Sequence, residues 1–148
     1  MVVKSNQNNI MLKYLSLLYT MKIIILENIR SAYNVGNIIR TADSLGWQVR
    51  LTGYTPSPLD NKKVIKTSLG AEANVGIRLF DNTADAIDEA KKNTCTVIAA
   101  EITPEAESLS MFSQNKISDI AIVFGNEVEG VLASTLGLVD RIVYIPMK

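Results

Sequence analysis

The fold of this chain is constrained most by an alternation of short apolar runs with amphipathic segments. Six runs have the length and β-branched content of strands: 22–26, 48–52, 76–80, 94–99, 120–124 and 141–145. The segments between them, which are helical or loop-like, are 34–45, 60–69, 83–92, 104–112 and 130–138. This alternation predicts a single-domain α/β fold in which a mostly parallel six-stranded sheet is flanked by helices.

The segment 28–43, between the first predicted strand and the first predicted helix, is rich in polar side chains. It contains Arg30, Asn34 and Arg40. In open α/β sheets, ligands bind in the loops at the carboxyl ends of the strands. Asn34 alone is also explained as the N-cap of a helix, but a cap does not explain Arg40 six residues later. The sequence therefore favours a functional loop over a purely structural connection.

Two later segments also place a turn directly after a buried strand. In the first, Gly125 would let a ligand lie against the backbone, and Glu127 could bind a ligand or fix an arginine. The alternative is a helix that Asn126 caps, with Glu127 favoured by the helix dipole, and the residues alone leave both open. The second segment ends in Ile145-Pro146-Met147, which is uninformative by itself. Neither segment matches a P-loop or a three-glycine dinucleotide fingerprint.

The residue types present narrow the chemistry that is possible. The 148 residues include no histidine and one cysteine, Cys95. A disulfide framework, a zinc site and a Ser-His or Cys-His catalytic pair are therefore not expected, and no metal is predicted. Cys95 precedes an apolar run and is predicted to be a small buried residue of a strand rather than a nucleophile. Catalysis would have to use arginine, lysine, carboxylates, amides, hydroxyls or backbone groups.

Charge is distributed unevenly although the formal net charge is zero. Residues 1–66 contain nine Lys and Arg but three Asp and Glu, a net charge of +6, so the remainder carries −6. Such a division could form one positive face that meets phosphates, or it could be an accident of surface composition. The sequence leaves these two interpretations open.

Residues 1–20 are interpreted as an N-terminal extension, followed by a self-sufficient domain at 21–148 whose Met21 is a second candidate start of translation. The apolar stretch 14–21 lacks the small-residue cleavage site of a signal peptide and is flanked closely by Lys13 and Lys22. No run reaches the roughly 20 apolar residues that span a bilayer. We therefore expect a cytoplasmic protein without a membrane partner.

Taken in order, these segments resemble the three signature motifs of the SpoU/TrmH RNA 2′-O-ribose methyltransferases, which belong to the knotted SPOUT superfamily. The first is the Asn-x-Gly-x-Ile-x-Arg-Thr-Ala segment that starts at Asn34. The second runs from Val123 through Gly125 and Glu127 to Gly130, and the third begins as Ile145-Pro-Met. A Ser-Leu-Gly-Ala segment at 68–71 resembles a further element of the family, and the match covers about 22–148.

The resemblance implies S-adenosylmethionine as the cofactor, a ribose 2′-hydroxyl of tRNA or rRNA as the methyl acceptor, and a homodimer with sites drawn from both protomers. It implies catalytic roles for Arg40, Asn34 and Glu127. By the same resemblance, the cofactor-binding residues are Ala100, Gly125, Ile145 and Met147, and the RNA-binding residues are Arg30, Arg40 and Lys66. Arg40 would act at the ribose and its phosphate, whereas Asn34 would shape the loop and support the dimer. Glu127 would hold the opposing arginine or the loop.

The third motif departs from the family pattern, in which a Ser-Leu-Asn-Val-Ser stretch and a final helix that ties the knot follow Ile-Pro-Met. Here the sequence ends at Lys148. We therefore expect a truncated or degenerate member without the knot helix, which binds S-adenosylmethionine poorly and leaves the surface near Tyr144 and Ile145 exposed or in a dimer contact. The alternative function is a catalytically inactive RNA-binding or interaction protein of the same fold. A Rossmann-type nucleotide-binding domain would need a glycine-rich first turn, which 34–37 does not supply.

Overall fold

The computed structural model describes residues 20–112 and 117–147. These residues form a single sheet of seven parallel strands with helices packed against it. The strands are β1 (Lys22–Glu27), β2 (Gln48–Thr52), β3 (Ile77–Phe80), β4 (Thr96–Ala100), β5 (Glu107–Ser108), β6 (Ile120–Phe124) and β7 (Arg141–Tyr144). The helices are α1 (Ala32–Leu45), α2 (Lys62–Ser68), α3 (Thr83–Lys92) and α4 (Ala133–Leu136), with a 3₁₀ turn at Ala71–Ala73. The strand order is β3-β2-β1-β6-β4-β7-β5, so β1 lies between β2 and β6.

Both faces of the sheet are covered, because alternate residues of β1 enter two different cores. Ile24 and Leu26 pack with buried residues of α1 and α2. Ile23 and Ile25 pack on the other face with the apolar side of α3. A strand that is buried on both faces reads as a continuous apolar run, which is the pattern of 23–26.

The start of α1 differs from the alternative interpretation, in which Asn34 caps this helix. The cap is Ser31, whose hydroxyl accepts a hydrogen bond from the Asn34 backbone N–H at 3.2 Å. Asn34 lies in the first turn, so its side-chain amide is available for another partner. The helix ends at Gly46, where a φ of 68° lies in the left-handed region that glycine tolerates best.

Helices α1 and α2 approach closely at Gly36. A Cβ atom at this position would lie 1.8 Å from Thr67 Oγ1 and 2.9 Å from the Val64 carbonyl oxygen. The Thr67 hydroxyl donates to the Lys63 carbonyl at 3.0 Å within α2, which fixes its orientation. The missing side chain of Gly36 therefore sets the distance between the two helices.

The structure confirms the parallel α/β architecture and all six predicted strands but corrects two details. The sheet has a seventh strand, β5, inside the segment 104–112 that was predicted as helix or loop, and β5 pairs with β7. The predicted helix at 130–138 is reduced to the four residues of α4. Apart from Thr20, the predicted N-terminal extension lies outside the described residues. Within the described ranges, none of the helices has both the length and the apolar character that a membrane crossing requires.

Candidate active site

The predicted cofactor-binding residues lie at the carboxyl ends of three neighbouring strands, β6, β4 and β7. Ala100, the last residue of β4, is in register with Phe124 at the end of β6 and with Val143 near the end of β7. Gly125 follows β6 directly, and Ile145 and Met147 follow β7. Because the strands are parallel, all four residues lie at the carboxyl edge, where open α/β folds bind ligands.

The segment after β6 is a tight turn rather than the start of a helix. The Asn126 N–H donates to the Gly130 carbonyl at 3.0 Å, and the Gly130 N–H donates back to the Asn126 carbonyl at 2.9 Å. A Cβ atom on Gly125 would lie 2.2 Å from the Val131 backbone nitrogen. A glycine is therefore needed at position 125, because any side chain there would overlap the backbone of the following turn. Because a turn and not a helix follows Asn126, the interpretation of Asn126 as a helix cap is wrong.

Asn126 instead joins three loops at this edge. Its side-chain oxygen accepts from the backbone N–H groups of Val128 at 2.8 Å and Glu129 at 3.0 Å. Its side-chain nitrogen donates to the Asn28 carbonyl at 2.8 Å and to the Tyr54 hydroxyl at 2.9 Å. All the hydrogen-bonding capacity of this buried amide is used, so the loops after β1, β2 and β6 are held together.

The Glu127 carboxylate connects the turn after β6 to the start of α1. Oε2 accepts from the Arg30 backbone N–H at 3.0 Å, and Oε1 accepts from the Ser31 N–H at 3.1 Å and the Asn34 side-chain amide at 3.0 Å. Partial burial raises the pKa of Glu127, but these donors outweigh that effect and the pKa lies below its ordinary value. Glu127 is therefore held as an anion against the loop.

A cavity of about 320 Å³ lies between α1 and the end of β6. Its polar lining includes Asn34, Asn37 and Glu127, and its apolar lining includes Ile38 and Phe124. A second cavity of about 420 Å³ is lined by Asn37, Arg40, Thr41 and Ser44. Since Asn37 lines both, the two cavities adjoin along one exposed face of α1.

The predicted catalytic residues are therefore only partly brought together. Asn34 and Glu127 are in direct contact, whereas Arg40 lies about two turns further along α1 and is exposed. Among the described residues, the Arg40 guanidinium has no hydrogen-bonding or ion-pairing partner. It is therefore available to a ligand or to another chain.

The predicted RNA-binding residues divide between two places. Arg30 and Lys66 share a cavity of about 730 Å³ with Lys63, whereas Arg40 does not line it. We call this cavity the α1–α2 cleft, and its lining residues are Arg30, Ser31, Ala32, Tyr33, Asn61, Lys63, Lys66 and Thr67. Of the nine basic residues among 1–66, the structure thus places three in one cleft.

The loop after β4 adds an unpaired polar atom to the edge. Thr103 Oγ1 is buried without a hydrogen-bond partner in the described part of the chain. Apolar side chains nearby in the topology are largely exposed, namely Ile102 at 72 %, Ile145 at 60 % and Met147 at 85 %. A ligand with both a polar and a flat apolar part would suit this combination of a free hydroxyl and exposed apolar groups.

Glu27 was not identified from the sequence, although it lies in this region. It is the last residue of β1 and is 1 % exposed. Its carboxylate accepts from the Leu132 backbone N–H at 2.9 Å and from the Thr135 hydroxyl. The sequence does contain a signal, because Glu27 directly follows the apolar run 23–26. A carboxylate that is buried at the end of such a strand needs hydrogen-bond donors around it. Glu27 anchors the start of α4 to the central strand.

The described residues contain no group of three or more His, Cys, Asp or Glu side chains that could hold a metal ion. Cys95 is buried in the turn before β4, and burial raises the pKa of its thiol to about 11. A thiol with such a pKa is protonated at neutral pH and is a poor nucleophile.

Comparisons with known proteins show the family of the chain. The model of the SpoU rRNA Methylase family matches residues 21–148. A tRNA (guanosine(18)-2′-O)-methyltransferase from Borreliella burgdorferi is 30 % identical over 125 residues, which are 83 % of this chain and 55 % of that protein. The 23S rRNA (guanosine-2′-O-)-methyltransferase RlmB from Neisseria meningitidis is 29 % identical over 84 % of this chain and 49 % of its own length.

The fold is also that of solved methyltransferases. The crystal structure of an AdoMet-bound rRNA methyltransferase from Sinorhizobium meliloti matches with a TM-score of 0.77 at 23 % identity, over 86 % of this chain and 48 % of that one. The chain spans about half the length of the curated relatives that it matches. The residues that the family model matches, 21–148, include the whole sheet and the residues of the candidate site.

Proposed function

Because the chain belongs to the SpoU rRNA Methylase family, we propose that it transfers the methyl group of S-adenosylmethionine to a ribose 2′-hydroxyl of tRNA or rRNA. The observation that carries the proposal is the contact of Glu127 with Arg30, Ser31 and Asn34, which joins the first motif to the turn after β6. Residues of two separate motifs thereby form one site beside a cavity.

The carboxyl edge of β4, β6 and β7 fits this cofactor. We propose that backbone groups near Ala100, Gly125, Ile145 and Met147 bind it. The exposed apolar side chains of this edge can cover an adenine ring. When it is bound, the cofactor supplies a methyl group already activated on a sulfonium. The protein's task is then to align the acceptor and to assist loss of its proton.

Arg40 is proposed to act on the substrate side. Its guanidinium can bind a phosphate through two parallel hydrogen bonds and can stabilise negative charge that develops on the 2′-oxygen. Arginine is a poor general base because its pKa is about 12.5 or higher. We therefore propose that the proton leaves with the help of the RNA phosphate that Arg40 holds.

We further propose that the active form is a homodimer. Arg40 is exposed and separated from Glu127 within one protomer, so a second copy is needed to bring an arginine to the carboxylate. Leu45 on α1 is also largely exposed and is available for such a contact. Sedimentation of the 148-residue chain tests this part of the proposal, since a monomer at all concentrations contradicts it.

The function is tested by calorimetry with S-adenosylmethionine and by methyl transfer to total tRNA and rRNA. Nucleosides from the product are separated by mass spectrometry, because a 2′-O-methyl group stays with the ribose fragment whereas a base methyl group does not. Measurable cofactor binding, even if weak, and methylated ribose are the expected results. RNA binding without cofactor binding would instead support an inactive RNA-binding protein of this fold.

A further inference from the structure

We propose that the α1–α2 cleft binds the RNA nucleotide next to the methylated one, with its phosphate on Arg30, Lys63 and Lys66 and its base stacked on Tyr33. The inference rests on the proposed function and extends it in two ways. It assigns roles to Lys63 and Tyr33, and it requires an RNA segment whose bases are unstacked.

The cleft carries positive charge without compensation. Its lining includes three basic residues and no acidic one. Within the described ranges, none of the three charged groups has an ion-pair partner, whereas Lys91, Arg50 and Arg141 all pair with carboxylates. Three cations around one cavity repel each other unless an anion lies between them. A phosphate of a nucleic-acid backbone is such an anion.

Tyr33 supplies an aromatic surface in the same cleft. It lies in the first turn of α1 and is 64 % exposed, so its ring is accessible to a ligand in the cleft. A base can stack on an exposed ring whatever its identity, and proteins that bind single-stranded RNA combine such rings with positive grooves. The pairing of Tyr33 with three cations therefore favours a nucleotide over an isolated anion.

The walls of the cleft are fixed. On one side, the Gly36–Thr67 contact holds α2 against α1. On the other side, Glu127 holds the backbone of Arg30 and Ser31. Because these walls are already ordered, the protein loses little conformational entropy when a ligand binds in the cleft.

The position of the cleft explains why its ligand is a neighbour of the reacting nucleotide. Residues 30–34 separate the cleft from the cavity beside Asn34 and Gly125. An RNA strand that crosses this short segment would place one nucleotide on each side. Stacked duplex RNA does not present its bases in this way, so the segment must be a loop or another unpaired region.

The experiment measures binding of a fluorescein-labelled, short single-stranded RNA of mixed sequence to the 148-residue chain by anisotropy. Salt is varied between about 50 and 200 mM. The variants are Lys63→Gln, Tyr33→Ala and Tyr33→Phe. The control is Lys92→Gln, because Lys92 is exposed on α3 on the opposite face of the sheet. The unfolding midpoint of each variant is measured alongside.

Lys63→Gln is expected to weaken binding several-fold and to reduce the slope of log affinity against log salt by about 0.7, the value for one phosphate contact on a single strand. Lys92→Gln is expected to leave the slope unchanged. Tyr33→Ala is expected to weaken binding at least about fivefold, and Tyr33→Phe to restore it to within about twofold, because stacking needs the ring and not the hydroxyl.

The outcomes separate this inference from the function on which it rests. If the unmodified chain methylates RNA but Lys63→Gln behaves like Lys92→Gln, the assignment of the cleft is wrong and the proposed function stands. If Tyr33→Phe is as weak as Tyr33→Ala, stacking is excluded. If the unmodified chain neither binds nor methylates RNA, both proposals fail.

Discussion

The side-chain amide of Asn34 donates a hydrogen bond of 3.0 Å to Glu127, a residue 93 positions later in the chain. Two backbone N–H groups of the same loop, those of Arg30 and Ser31, complete the set of donors around this carboxylate. The start of α1 and the turn after β6 therefore form one unit, and a change in either is expected to affect the other.

Glu127→Gln is expected to lower the free energy of unfolding in a pH-dependent way. Because the folded-state pKa of Glu127 is lowered, its contribution is fully present above the unfolded-state value of about 4.3 and is lost as the pH falls through the folded-state pKa. Since the side chain is exposed, the difference at neutral pH should be about 1 kcal/mol or less.

Urea unfolding between about pH 3 and pH 8 measures this difference. Glu129→Gln is the matched control, because Glu129 is an exposed neighbour in the same turn whose side chain makes no hydrogen bond within the described residues. A difference from the unmodified chain that persists at the lowest pH would contradict the role given to the Glu127 carboxylate.

Arg40→Ala is expected to reduce methyl transfer by about a hundredfold or more, since it removes a group proposed to stabilise developing charge. Cofactor affinity should fall by less than about tenfold, or 1.4 kcal/mol, because Arg40 lies on α1 and not at the carboxyl edge of β4, β6 and β7. Transfer from labelled cofactor and calorimetry provide the two readouts. Arg78→Ala, a change at an exposed arginine on β3, should leave both unaffected. A large loss of cofactor affinity in Arg40→Ala would place this arginine on the cofactor side.

Gly36→Ala is expected to lower the free energy of unfolding by about 1–3 kcal/mol, because the added methyl group would overlap Thr67 Oγ1 and force α1 and α2 apart. Adding Thr67→Ala should relieve part of this cost in a double-mutant cycle. Gly137→Ala is the control, since its Cβ would meet no atom closer than 3.6 Å. Equal stability of the Gly36→Ala and Gly137→Ala chains would show that the two helices can separate without cost.

Gly125→Ala is expected to displace the turn after β6, because its Cβ would lie 2.2 Å from backbone atoms of Gly130 and Val131 that have no side-chain freedom. Cofactor affinity should fall at least about tenfold, whereas Gly76→Ala, before β3, whose Cβ would meet no atom closer than 3.5 Å, should retain it. Calorimetry on both variants makes the comparison. Full cofactor affinity in Gly125→Ala would place the cofactor away from this turn.

The central strands β1, β4 and β6 could be predicted from the sequence because a parallel strand that is buried on both faces is a continuous apolar run. The two-residue β5 could not, since it contains Glu107 and Ser108 and owes its position to long-range contacts. Its Glu107 carboxylate accepts two hydrogen bonds from Arg141, at 2.6 and 2.7 Å. Pairing that depends on one distant side chain leaves no periodic pattern in the local sequence.

At the site, the sequence indicated which residues are important but not which of them touch. Ser31 and Asn34 are both residue types that cap helices well, so the sequence does not decide between them. In the structure Ser31 is the cap, and the Asn34 amide donates to the Glu127 carboxylate instead. Lys63 and Tyr33 belong to no motif, so their shared cleft depends on the packing of α2 against α1. Contacts between segments far apart in the chain are set by tertiary structure, which local patterns do not encode.

The insertion of β6 between β1 and β4 has a consequence for synthesis on the ribosome. β1 is made early, but the partner on its second edge begins about a hundred residues later, at Ile120. At about 5–20 residues per second, β1 remains with one edge unpaired for roughly 5–20 s after it emerges. A nascent chain in this state exposes a row of unpaired backbone groups that favours aggregation. Slower translation of residues 28–119 should therefore lower the yield of native protein.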